Sequence, residues 1–369
     1  MTTRVAVVGG GLAGALLAWR LAEQPAGPHV TLYLDPATSA RDATAASGGL
    51  VRGFEPDPQA CRLAAASLAE LRRDPELARA SGYQETSSCY FLRPGTDPDP
   101  PLAVLDELLG GSARLVPAEA AARTLGLGPR PEGTDAVLER HAGYLRPDAL
   151  RHHAVRRAAA SGARVHHTPV TSVAAGPTLT VADGTHRRPD VVVVAAGAWT
   201  GALLGTSLRT RRIQYGVYPL ARPHLGALVD DVSTLYGRTH GPDAVLLGVA
   251  TTAWRAAPGD DRPDPADVAR VPEVARTVLA LDGPLPPPRW STAGVDCFAD
   301  DGGLRLRPVD GRPGVFSFTG GAGGAAKSVL AASRLAATAV TAAATGQPPP
   351  APTPPPAPAG REWAEQATS

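Results

Sequence analysis

Lysine is almost missing from this chain. Of its 36 basic residues all but one are arginine, and the exception is Lys327. A lysine ammonium is compact and its proton affinity shifts with its surroundings, whereas a guanidinium stays charged. The one retained lysine therefore marks a position where that difference matters. Cysteine is scarce too: Cys61, Cys89 and Cys297 are far apart, odd in number and without metal-ligand spacing. They offer no metal site and suit a reduced, cytoplasmic setting. Net charge is lacking as well, at +1, which gives no reason to expect nucleic acid or an anionic membrane as partner. No apolar run is long enough to span a bilayer. The first strand begins at Arg4, which leaves no room ahead of it for a secretion signal. The 369 residues suffice for about two domains with a large core.

Glycine is plentiful, and its placement is informative. Val5 to Val8 is a short apolar strand that breaks at Gly9, Gly10 and Gly11; Gly14 follows, and a helix runs from Ala13 to Leu21. Strand, tight turn and helix with Gly9, Gly11 and Gly14 form the dinucleotide-binding spacing. Gly9 permits the turn, Gly11 lets backbone approach a pyrophosphate, and Gly14 lets helix and strand pack closely. The first helix amides, from Leu12 and Ala13, then face the phosphates with the positive end of the helix dipole. A second strand, Val30 to Leu34, ends in Asp35, where a carboxylate accepts from ribose hydroxyls and repels a 2′-phosphate. A dinucleotide is expected here.

Further along, residues 44–54 are rich in small and hydroxyl side chains, suited to backbone passing along a ligand, with Arg52 near the end of the segment. Residues 59–81 read as one amphipathic helix, and further helices are expected over 102–109, 117–125 and 149–160. Short strands are expected over 88–92, 163–167 and 168–173. The run Asp190 to Trp199 is a buried parallel-type strand breaking at Ala196 and Gly197, again where backbone must approach something. From 209 to 288 short alternating strands and one helix near 266–281 predict an antiparallel sheet. Strands return at 292–298 and 315–318. Residues 319–327 are then glycine-rich and open an alanine- and leucine-rich helix to about Ala344, with Lys327 in its first turn. A cation there opposes the helix dipole, so the single lysine occupies a place that disfavours it. The Pro/Ala-rich tail, 347–369, is expected to be disordered.

Val5 to Gly14 with Asp35, Val191 to Trp199, and Phe316 to Lys327 together resemble the FAD-dependent D-amino-acid oxidase family, which includes glycine oxidase and monomeric sarcosine oxidase. Asp35 stands where glutamate is more usual. The resemblance implies an α/β fold: a discontinuous Rossmann-like FAD-binding domain (1–82, 141–205 and 289–346) plus an α+β substrate domain with an antiparallel sheet (83–140 and 206–288). It implies FAD extended from Gly9–Gly14, Asp35 and Val170 to a ring near Ser47, Gly48, Arg52, Ala196, Gly197, Trp199 and the loop carrying Gly323, Gly324, Ala326 and Lys327. Lys327 matches a lysine that helps hold the substrate carboxylate, with Arg52 as its candidate partner. The implied reaction is oxidation of a C–N bond to an imine by hydride transfer, with oxygen or another acceptor closing the cycle.

Two departures shape the expectation. Where the family's amino-acid oxidases commonly carry a carboxylate-gripping arginine, this chain has Gly294, Val295 and Asp296. Asp296 repels a carboxylate and attracts an amine, so a diamine or modified amino acid is a candidate substrate. The position of the family's flavin-attaching cysteine is held by Gly294. Noncovalent FAD follows, with Cys297 an inert, half-buried thiol. The alternatives are a flavin monooxygenase reduced by NAD(P)H and a flavin-binding subunit without activity of its own.

Overall fold

The computed structural model describes residues 2–206 and 208–345; the tail expected to be disordered lies outside them. Two large sheets share the architecture. The first has six strands in the spatial order Arg305–Pro308, Val315–Thr319, Val191–Val194, Arg4–Val8, His29–Tyr33 and Arg164–His166. All neighbours are parallel except the outermost pair, 305–308 with 315–319. Val5–Val8 and Val191–Val194 are buried on both faces, which is why they read as unbroken valine-rich runs rather than as alternating ones.

Helices Leu12–Ala22, Pro147–Ala160 and Ala325–Ala344 cover one face of this sheet. Leu16, Leu17 and Leu21 of the first are fully buried, each contributing roughly 2 kcal/mol of apolar burial. The region expected as one helix over 59–81 is two, Pro58–Arg73 and Pro75–Ser81. Pro75 has no amide to continue the ladder, and the Asp74 carboxylate accepts from the Leu77 amide at 2.9 Å to start the second helix.

The second sheet is mixed. Its main order is Trp290–Phe298, Arg209–Tyr218, Val245–Val249, Leu235–Thr239, Ala227–Asp230, Gln84–Phe91 and Asp135–Tyr144. Leu50–Val51 and Ala113–Pro117 both pair with 135–144. The pairing of 227–230 with 84–91 is parallel and the others are antiparallel. Ala113–Pro117, Arg305–Pro308 and most of 135–144 carry too little apolar alternation for the sequence to show them. Because Trp290–Phe298 and Leu50–Val51 belong to this sheet, residues 50–55 and 294–297 reach the boundary between the two sheets. No helix among the described residues is long and apolar enough to cross a membrane.

Candidate functional site

A cleft of about 250 Å³ opens at the ends of strands 4–8 and 191–194. Gly9 has φ +122, and a Cβ there would lie 2.4 Å from the Ala195 carbonyl oxygen. One on Gly14 would lie 2.0 Å from the Gly9 carbonyl oxygen; this glycine is the close helix–strand contact and does not line the cleft. Gly11 differs from both: its added Cβ would meet nothing nearer than Thr44 Oγ1 at 3.5 Å. Its missing side chain leaves space in the cleft. Thr44, the first residue of the small-residue segment, ties that segment to this turn by accepting from the Leu12 amide at 3.0 Å. Asp42, Ala45 and Arg151 brace the segment, with Arg151 Nη1 3.0 Å from the Asp42 carboxylate and the Ala45 amide donating to it at 2.8 Å.

Of the residues singled out from the sequence, Gly9, Gly11, Leu12, Ala13, Asp35, Ser47, Val170, Ala196, Gly197, Trp199, Asp296, Gly323 and Ala326 line this cleft. Gly14, Gly48, Gly324, Arg52 and Lys327 do not. Gly48 turns its carbonyl to Arg238, and a Cβ on Gly324 would fall 2.9 Å from Lys327 Nζ. Among the described residues there is no cluster of His, Cys, Asp and Glu able to hold a metal.

Arg52 and Lys327 do come together, around a residue the sequence reading had passed over. Glu55 Oε1 is 2.6 Å from Arg52 Nη2 and 2.8 Å from Lys327 Nζ. Arg52 Nε also donates to the Phe54 carbonyl at 3.1 Å, and its guanidinium stands 4.9 Å from the centre of the Tyr90 ring. The loop is pinned from below: the amides of Gly53 and Phe54 donate to the buried Glu139 carboxylate at 2.8 and 3.2 Å. Burial alone would push the Glu55 carboxyl up, but Arg52 and Lys327 outweigh it and hold it below the ordinary value. Burial lowers the Lys327 ammonium from its usual 10.5, against the pull of Glu55, with Arg52 reinforcing the fall. Arg52 and Lys327 thus share the one carboxylate they touch, Glu55, while Asp231 and Asp296 act on Lys327 and Glu139 on Arg52 from further off.

Asp296 lies in strand 290–298. Its carboxylate accepts from the Cys297 amide at 2.9 Å and from the Gly323 amide, so it fixes the glycine loop ahead of helix 325–344. Burial raises its proton affinity and these two amides oppose the rise. Cys297, expected to be half-buried, is fully buried at 2% exposure, because its strand is covered on that face. Its sulfur lies 2.7 Å from Thr319 Oγ1, and burial pushes the thiol up. At Gly294 a Cβ would lie 2.5 Å from that of Ala46, so only glycine fits.

Residues 4–339 match the DAO family of FAD-dependent oxidoreductases, and the chain belongs to that family. Its fold is that of several solved members of known activity. L-proline dehydrogenase from P. horikoshii superposes with a TM-score of 0.75 at 16% identity, covering 94% of each chain. Glycine oxidase from Bacillus cereus gives 0.68 at 18%, covering 92% of this chain and 95% of that one. Iminodiacetate oxidase from Chelativorans sp. BNC1 gives 0.67 at 19%, covering 95% and 97%. The protein is thus an FAD-dependent oxidoreductase with a Rossmann-like domain and an α+β domain built on the second sheet. The Leu12 amide, expected to face the phosphates, is instead taken by Thr44; the cleft still suits FAD on its own geometry, since space at Gly11, the Ala13 amide and Asp35 stand in the order phosphates and ribose require.

Proposed function

We propose that the chain oxidises the C–N bond of an amine or amino acid to an imine, with oxygen or another acceptor completing the cycle. Bound FAD supplies the hydride acceptor. Residues 1–82, 141–205 and 289–346 hold it, and 83–140 with 206–288 shape the substrate side. Gly9–Ala13, Asp35 and Val170 would hold its adenosine end, and Ser47, Ala196–Trp199, Gly323 and Ala326 its ring. Attachment is noncovalent, since position 294 has no room for a thiol and Cys297 is turned to Thr319.

The observation that carries this reading is the Arg52–Glu55–Lys327 cluster, two cations sharing one carboxylate inside the protein, with Lys327 next in the chain to the Gly323–Ala326 wall. Neither cation lines the cleft, so their charge draws a monoanionic substrate end from behind its wall and biases the placement of the reacting C–H bond. Asp296, a carboxyl at the cleft wall, faces the amine end. The reading is tested by anaerobic mixing of the FAD-loaded protein with a library of amines and amino acids. Bleaching of the flavin band by one class supports it. Bleaching by NADPH and by no amine would favour the monooxygenase alternative, and no bleaching at all the subunit without activity.

A pH dependence follows. Lys327 attracts an anion only while protonated, that is below its pKa, and burial places that pKa below 10.5. Affinity for a carboxylate ligand therefore falls on the alkaline side earlier than for an exposed lysine. In Lys327→Arg the fall moves to higher pH, because a guanidinium stays protonated. Titrating ligand affinity against pH in both proteins checks this.

A further inference from the structure

Among the described residues, the buried basic side chains have carboxylates of their own, with one exception. Arg20 pairs with Glu70, Arg52 and Lys327 with Glu55, Arg130 with Asp230 and Arg151 with Asp42. Arg238 has none, although it is only 8% exposed. Its Nε donates to the Gly48 carbonyl at 3.0 Å and its Nη1 to the Thr239 carbonyl at 2.9 Å, with His240 Nδ1 3.4 Å from Nη1. The guanidinium stands 4.1 Å from the centre of the Tyr144 ring. Carbonyl dipoles and a ring face orient a cation but do not cancel it. Burying a charge without a counter-charge is costly, and burial draws this guanidinium below its ordinary value.

The position of that charge is specific. In the second sheet Arg238 lies opposite Leu246, which lies opposite Val217. The same face carries Ile213, four residues before Val217, and Ile213 lines the cleft. Segment 47–49 rests on this face: a Cβ on Gly48 would touch Leu246 at 3.4 Å, while neighbouring Ser47 lines the cleft. Arg238 thus stands one peptide behind a wall of the cleft, its Nε and Nη1 turned to carbonyls, and close enough for its charge to be felt there.

We infer that Arg238 is the counter-charge for negative charge that develops in the cleft beside residues 47–49, namely on the FAD ring when it is reduced. The inference rests on the proposed course of FAD along that segment. A fixed cation in a dry interior acts over several ångströms with little screening, and a guanidinium keeps its proton across the working pH range. Arg238 is therefore a positioning residue for charge rather than a catalytic one, and its signature is thermodynamic.

The experiment is the midpoint potential of the FAD-loaded protein, measured against a reference dye for wild type, Arg238→Met, Arg238→Gln and Arg238→Lys, with thermal unfolding as a control for folding. Removing the charge makes reduction less favourable by tenfold or more in the equilibrium constant, about 30 mV more negative for a two-electron couple. Arg238→Lys, measured at a pH below the pKa of the buried ammonium, keeps the charge and stays within threefold of wild type. A wild-type potential in folded, FAD-loaded Arg238→Met or Arg238→Gln overturns the inference, as does an Arg238→Lys as depressed as Arg238→Met. Weakened carboxylate binding with an unchanged potential also overturns it. Failure of the wild type to take up FAD would count against the proposed cofactor site itself, so the two are separable.

Discussion

Gly11→Ala leaves the apoprotein as stable as wild type and weakens FAD binding by at least tenfold. Gly14→Ala, three residues on, destabilises the fold itself. The two glycines face different things. An added methyl at Gly11 meets nothing within 3.5 Å and occupies cleft space needed by a pyrophosphate, and a tenfold loss corresponds to about 1.4 kcal/mol. At Gly14 the methyl would stand 2.0 Å from the Gly9 carbonyl oxygen. That backbone cannot yield without parting helix 12–22 from strand 4–8, at a cost of about 1–3 kcal/mol as for other overpacked sites. Thermal unfolding of the apoproteins and FAD titration by flavin fluorescence separate the effects. Equal behaviour of the two variants would mean that the cleft at Gly11 is not where the phosphates lie.

Lys327→Met is expected to leave FAD bound and to lower kcat/KM about 100-fold, some 2.7 kcal/mol of transition-state stabilisation. The loss has two sources. The cluster loses one of its two cations, so an anionic substrate end meets less attraction. Glu55, left with Arg52 alone, also becomes a stronger competitor for that guanidinium. Steady-state kinetics with the flavin spectrum as a loading control measure it. Unchanged kinetics would remove Lys327 from the site.

Much of the cofactor cleft was legible because its demands fall on backbone and therefore on glycine and alanine. Gly9, Gly11 and Gly14 announce a turn, a gap and a close contact in a single short stretch, and the valine runs 5–8 and 191–194 announce strands buried on both faces. Lys327 stood out through its isolation among arginines and its unfavourable place at a helix start. Glu55 did not stand out. It sits in a loop with no periodicity, and its meaning depends on Arg52 and on a lysine 272 positions away in sequence. Arg238 is hidden for a similar reason: one arginine among many, distinguished only by having no carboxylate near it once the chain is folded. The break at Pro75 was readable in principle, but the apolar spacing on either side disguised it.

The central claim is that an internal cluster of two cations sharing one carboxylate sits beside the bound flavin and draws the substrate's negative end. It is tested most directly by titrating the FAD-loaded protein with a simple carboxylate that cannot be oxidised, following the visible flavin band. The account predicts a saturable shift of the band in wild type, tightened in Glu55→Gln, where the cluster gains a charge, and abolished in Lys327→Met. A flavin band indifferent to carboxylate in wild type, or a shift that survives in Lys327→Met, would contradict it.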